Sequence, residues 1–241
     1  MAELILNHVN KVYPNGFAAV RDFSIEIKNG EFVTVTGPSG CGKSTILRMI
    51  AGMEDITSGE IIMDGKVMNH VAPEDRNLTM LFKNYALYPR MTVYDNIALG
   101  LRLRNAPETE IDEKVRETVR FLSLEKLLHR KVKTLTTWQR QRTAIGRVIV
   151  RKPGLILMEE PFADLDRAMR MRMWKEILRI HEELGTTVVY VTNDPAEALA
   201  LGTRVIVMAE GTIQQQGTPQ MLKERPNSLL IAGFIGNGFA T

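Results

Sequence analysis

The chain has little that would staple it together or seat it in a bilayer. Its 241 residues include one cysteine, Cys41. An internal disulfide and a multi-cysteine zinc site are therefore excluded, and a reducing compartment is expected. No stretch approaches the roughly 20 apolar residues needed to cross a membrane. The opening MAELILNHVNKVY lacks a basic run followed by an apolar core, so no secretory signal is expected. His8, His70, His129 and His181 are too scattered to read as a metal cluster. Charge of one sign is also scarce. The 31 Lys and Arg against 28 Asp and Glu leave +3, too small an excess to argue for a nucleic-acid partner. Internal repeats and low-complexity linkers are missing. What is present is a globular balance, 44% apolar and 24% charged, long enough for a large core with an inserted subdomain. A soluble, cytosolic protein is expected.

The first third reads as strands separated by turns. Phe23, Ile25 and Ile27 alternate with Ser24 and Glu26, a half-buried strand ending at Asn29-Gly30. Glu31–Thr36 is more continuously apolar, as expected of a strand covered on both faces. It runs into a glycine-rich turn and then a short helix, Ser44–Ala51, stopped by Gly52. The middle changes character: Ile111, Val115, Val119 and Leu122 predict a helix from Thr109 to about Leu128, with Thr109 three before Asp112 as its start. Residues 88–150 therefore read as a helical insertion. The last third alternates: strands at Leu155–Met158, Thr187–Thr192 and Arg204–Met208, helices from Met169 to Leu184 and over Pro195–Leu201. That alternation predicts a mostly parallel sheet. The thirteen methionines are read as core filling.

Between the second strand and its helix stands Gly37-Pro38-Ser39-Gly40-Cys41-Gly42-Lys43-Ser44-Thr45, a match to G-x-x-x-x-G-K-[ST]. Small residues let backbone N–H groups turn inward around a polyphosphate, and the helix adds its positive dipole end. Lys43 reaches the outer phosphates in this reading, and the Ser44 hydroxyl ligates Mg²⁺. Cys41 is taken as a small filler of the loop rather than a redox switch.

From this loop onward the chain resembles the ATP-binding subunits of ABC transporters, most closely those of maltose-type sugar importers. Gly52–Ile61, Asn84–Leu101, Gln139–Pro153, Leu155–Asp166 and Val189–Leu201 carry the resemblance in order. It implies an α/β fold: a P-loop NTPase core over residues 1–87 and 151–235 with a mostly parallel sheet and an N-terminal antiparallel β portion. The 88–150 helical subdomain then carries the signature segment, and 236–241 is a tail with no regulatory domain beyond it. It also implies ATP and Mg²⁺ as cofactors, a homo- or heterodimer sandwiching ATP, and membrane permease subunits docking near Ala86–Arg104 on the inner face of the cell membrane. By position, Tyr13 stacks on adenine, Glu160 polarises the attacking water, and Asp166 lies in the loop that communicates across the dimer.

Four positions depart from the family pattern. Lys83 replaces Gln, Leu135-Thr136-Thr137-Trp138-Gln139 replaces the signature L-S-G-G-Q, Glu159 replaces the Asp before the catalytic carboxylate, and Asn193 replaces the switch histidine. Glu159 keeps its charge but adds a methylene beside a metal that tolerates little distortion. Lys83 cannot accept a hydrogen bond from water. Asn193 can donate to a γ-phosphate without an imidazolium's charge. Thr137 and Trp138 add side chains where glycine N–H groups approach the partner's nucleotide; the sandwich is obstructed unless Trp138 packs on its own subdomain. Two readings stay open, an importer ATPase with impaired hydrolysis and a non-hydrolysing nucleotide-binding partner. A nucleic-acid- or ribosome-acting ABC ATPase would need tandem cassettes, a long coiled-coil insertion or a strong basic patch, and none is visible.

Overall fold

The computed structural model describes residues 2–83 and 87–237. They fall into two compact units, Met1–Met80 with Gly154–Thr241, and Leu81–Pro153. The chain opens with β1 (Leu4–Val12) and β2 (Ala18–Ile27), paired antiparallel. Phe23, Ile25 and Ile27 face inward while Asp22, Ser24 and Glu26 face solvent, the expected alternation. In β3 (Phe32–Thr36) every residue is buried. Next come α1 (Lys43–Ala51), β4 (Ser58–Met63), β5 (Lys66–Val67) and β6 (Leu78–Leu81). An antiparallel sheet runs in the order β2-β1-β4-β5.

The Leu81–Pro153 unit contains α2 (Val93–Arg102), α3 (Glu108–Phe121) and α4 (Thr137–Ile149). Its core is built from Val93, Ile97, Ile111, Val115, Val119, Leu122, Ile145 and Val148. Gly146 lets α4 approach α2 closely: a Cβ there would sit 2.9 Å from Ile97 Cδ1. The helix expected from Thr109 to Leu128 is corrected at both ends. It begins at Glu108 after Pro107, with no side-chain cap, so Thr109 is inside it. It ends at Phe121, because Ser123 turns left-handed (φ 52°) and Glu125–Leu127 forms a 3₁₀ turn. The apolar spacing continued past the break since Leu124 and Leu128 are buried by that turn rather than by a helix.

The first unit is completed by β7 (Leu155–Glu159), α5 (Arg167–Leu184), β8 (Thr187–Thr192), α6 (Pro195–Leu201), β9 (Arg204–Ala209), β10 (Thr212–Gly217), α7 (Pro219–Glu224) and α8 (Leu229–Asn237). The strands read from the last third coincide with β7, β8 and β9 to within one residue. Helix α5 stops at Gly185, which is left-handed at φ 61°. The second sheet runs β10-β9-β3-β8-β7-β6. Its inner strands β9, β3, β8 and β7 are parallel, and β10 is antiparallel to β9. The register pairs Thr36 with Thr192 and Glu159 with Val191. The loops leaving β3, β8 and β7 therefore emerge at one edge, where open parallel sheets place their ligands. Met49, Met63 and Met208 are buried in the core beside the sheets, so these methionines do fill it.

One buried cation ties the end of α1 to the segment between β5 and β6. Arg76 is 3% exposed, and its guanidinium donates to Met49 O (2.9 Å) and Ile50 O (2.7 Å) at the end of α1, and to Met68 O (2.6 Å) and Val71 O (2.9 Å). Arg76→Met removes the guanidinium from all four, although Met49 O and Met68 O keep backbone donors from Gly52 and Val71. It is expected to lower the unfolding free energy by about 2–4 kcal/mol, read from urea denaturation.

Candidate functional site

The loop between β3 and α1 is threaded between two backbones. A Cβ on Gly37 (φ 152°) would lie 2.1 Å from Met208 O, and one on Gly42 (φ 103°) would lie 2.3 Å from Ala19 O. Only glycine fits at either place, for reasons of space as well as conformation. Lys43 is 4% exposed, and its ammonium donates to Gly37 O and Pro38 O, both at 2.8 Å. Cys41 is buried with its sulfur 3.6 Å from the Lys43 ammonium, which fits a filler of the loop. Helix α1 has no side-chain cap and no acid in its first turn. Its positive end is left for an anion to complete.

Ser39, Gly40, Gly42, Lys43, Ser44 and Thr45 line a cleft of about 280 Å³ together with Phe17, Ala19, Glu160 and Asn193. Glu160 follows β7 in a left-handed conformation (φ 41°), and its N–H donates to Val191 O at 2.9 Å. A non-glycine residue in that region costs of order 1–2 kcal/mol and persists where its surroundings hold it. The Asn193 side-chain amide donates to Glu160 Oε1. Ser39 and Glu160, far apart in sequence, thus share one mouth because β3 and β7 flank β8. Glu159, last in β7, is half-buried and is not among the residues lining the cleft. Tyr13 is not either; it stacks on Phe17 (6.5 Å between centroids, 12° between planes) beneath the Lys11 ammonium. Phe17 is the aromatic that reaches the cleft, and sequence reasoning missed it. The available signal was a second aromatic four residues after Tyr13 across an Asn15-Gly16 turn.

The remaining candidates lie apart from this constellation in sequence. Lys83 is exposed in a turn of the Leu81–Pro153 unit. Asn84, Tyr85 and Ala86, the last of which opens the expected docking segment, are outside the described residues, as are 238–241 of the expected tail. In the same unit, Thr136 caps α4 by a reciprocal pair: its Oγ1 accepts from Gln139 N at 3.3 Å, and its N–H donates to Gln139 Oε1 at 3.1 Å. Thr137 Oγ1 accepts from Arg140 Nη2 at 3.2 Å. Trp138 is half-buried, with the Arg142 guanidinium 5.1 Å over its ring. Asp166 caps α5, accepting from Met169 N at 2.8 Å.

Beside Asn193 lies a buried carboxylate the sequence did not single out. Glu197 is 4% exposed; its Oε1 accepts from Tyr190 OH (2.7 Å) and Trp174 Nε1 (2.9 Å), and its Oε2 from Thr192 Oγ1 (2.5 Å). Burial pushes the Glu197 carboxyl above its ordinary value; its three donors pull the other way, and nearby Asp194 adds to the rise.

A family profile described as "ABC transporter" matches residues 20–163. The oligosaccharides import ATP-binding protein MsmX of Bacillus subtilis (strain 168) is 51% identical over 237 residues, covering 98% of this chain and 65% of its own. The trehalose import ATP-binding protein SugC of Mycobacterium tuberculosis is 53% identical over 237 residues, covering 98% of this chain and 60% of its own. The chain thus spans 60–65% of the length of these two relatives. Among solved structures, cbiO1 from Clostridium perfringens, part of the ABC transporter complex cbiONQ, superposes with a TM-score of 0.84 at 27% identity, covering 92% of this chain and 90% of that one.

The raised carboxyl fixes a sign. Glu197's favourable term is fully present below the carboxyl's unfolded pKa of about 4.3 and is lost as pH rises through the higher folded value. The gap in urea midpoint between the parent and Glu197→Gln, measured from acid to neutral pH, should shift against the parent as pH rises, whatever the other carboxyls contribute to both.

Proposed function

The chain belongs to the ABC transporter family, and on that premise we propose that it is the ATP-binding subunit of an importer for a sugar or similar small solute. The observation carrying this reading is the buried Lys43 ammonium, held on loop carbonyls at the uncapped start of α1 in a cleft shared with Glu160 and Asn193. The identity to MsmX and SugC supports the solute class.

The residues present fit Mg-ATP. A cradle that a Cβ would fill at Gly37 and Gly42, and an uncapped helix start, suit a polyphosphate. Lys43 would exchange its own carbonyls for outer phosphate oxygens, and the amides of Ser39, Gly40, Cys41, Gly42, Ser44 and Thr45 would surround the rest. The Ser44 hydroxyl would hold the metal, with Glu159 one step removed. When bound, magnesium neutralises charge on the outer phosphates. Glu160 orients the attacking water, Asn193 donates to the γ-phosphate, and Lys83 adds a cation. Phe17, backed by Tyr13 stacked on it, would offer adenine an aromatic face at the cleft. Two ATP-binding subunits, identical or paralogous, close so that Thr136, Thr137, Trp138 and Gln139 of one face the loop of the other. Permease subunits dock at Ala86–Arg104. There the buried Asn96 holds both backbone groups of Tyr88 (2.9 and 3.0 Å) and leaves its ring exposed. The protein then sits in the cytoplasm, peripheral on the membrane; no helix among the described residues is long and apolar enough to cross one.

Hydrolysis by such a dimer is weak in this proposal, because Asn193 lacks an imidazolium and its amide engages the carboxylate needed by water. That same hydrogen bond favours the second reading, a non-hydrolysing nucleotide-binding partner. Fluorescent-nucleotide titration and phosphate release test both. Mg-ATP binds the parent, and Lys43→Ala weakens it about 10–100-fold. Turnover stays below about 1 s⁻¹; a faster rate overturns weak hydrolysis, and no binding overturns the whole reading. Thr137→Gly with Trp138→Gly is expected to increase ATP-driven dimerisation, measured by sedimentation.

A further inference from the structure

Asn193 is a single exposed residue between the buried end of β8 and the half-buried, capped start of α6. It comes after Thr192, the last residue of β8, and precedes Asp194, whose Oδ1 caps α6 by accepting from Ala196 N at 2.9 Å. Asp194 is held from the other side by Arg170 of α5, Nη1 to Oδ2 at 3.0 Å. Thr192, 2% exposed, works in both directions: its Oγ1 accepts from Asp194 N at 3.0 Å and donates to Glu197 Oε2. The hydroxyl has one proton, so its direction is set by having an acceptor on the Glu197 side. Glu197 in turn is fixed by Trp174 of α5 and Tyr190 of β8. One carboxylate thereby links α5, β8 and α6 around the joint.

A glutamine would not reproduce this. With its amide nitrogen toward Trp174 Nε1 and Tyr190 OH, those two lose their shared acceptor; with the nitrogen toward Thr192, the Thr192 proton loses its acceptor. A carboxylate with three donors specifies one arrangement of the joint, and networks of this kind matter as a unit.

We propose that Glu197 is a positioning residue for Asn193, acting through the Thr192 hydroxyl to hold the Asn193 amide on Glu160 at the mouth of the cleft. Its consequence for ligand rests on the nucleotide reading above: Glu197 sets how well the site distinguishes a terminal phosphate while leaving the loop around Lys43 untouched.

The test reads the Asn193 side-chain amide by ¹H–¹⁵N NMR with asparagine-selective labelling. The signal is assigned by its loss in Asn193→Ser, and its unbonded position is taken from Glu160→Ala. In Glu197→Gln and in Thr192→Val, the signal is expected to move at least halfway to that unbonded position. A signal unmoved in either folded variant overturns the proposal, since the two residues form one tether. If Glu197→Gln does not fold, Thr192→Val decides, because it leaves the carboxylate with Trp174 and Tyr190. In parallel, both variants are titrated with ADP and a non-hydrolysable ATP analogue. The analogue is expected to bind about 3–10-fold more weakly, with ADP within about twofold of the parent. Equal loss of both nucleotides overturns the proposal as a general collapse of the site. A parent that binds neither nucleotide sinks the nucleotide reading alone, and the amide signal still decides the role of Glu197.

Discussion

The Lys43 ammonium is buried on two carbonyls of its own loop, and much of the molecule is arranged to make that burial tolerable. A cation out of water needs several good acceptors or an anion. Here the acceptors come from a backbone bent tightly enough to turn Gly37 O and Pro38 O onto it. That bend requires glycine at 37 and 42, because Met208 O and Ala19 O leave no room for a Cβ. The two obstructing carbonyls belong to β9 and to β2, so the loop is clamped between the two sheets of its own unit. Its stability is therefore a property of the whole β scaffold rather than of nine residues.

The same sheet explains why chemistry accumulates at this edge. Parallel strands β3, β8 and β7 lie side by side and end together, so the residues just past each one meet. Strand ends are also where backbone strain is tolerated, as in the left-handed Glu160. The anchoring is uneven across the edge. The β3 loop is fixed by steric fit, whereas the Asn193 joint is fixed by polar partners, Thr192, Asp194, Glu197 and Arg170. Polar networks hold direction well but depend on every member being satisfied.

Much of the core was legible along the chain because the relevant signals are local. Alternation in β2, continuous burial in β3 and Gly185 as the stop of α5 all come from spacing and residue type. The phosphate loop was readable for the same reason. The end of α3 was not, since Ser123 adopts a left-handed turn while the apolar residues beyond it are buried by a different local structure. Phe17 escaped because reaching the cleft depends on how the β1–β2 hairpin turns, not on its own neighbours. Glu197 looked like one more acid on a short helix.

What the amino-acid order determined by itself was the set of local devices: a glycine-rich turn between a strand and a helix, a glycine stop at Gly185, and an apolar insertion of helical period. Tertiary structure decided which of them meet. Strand order placed Glu160 and Asn193 at the mouth of a loop more than a hundred residues earlier, and burial turned Glu197 from a surface carboxylate into the hub of three donors. The reason is physical: spacing fixes a residue's face on its own element, but proximity and desolvation arise only when elements from distant parts of the chain pack together.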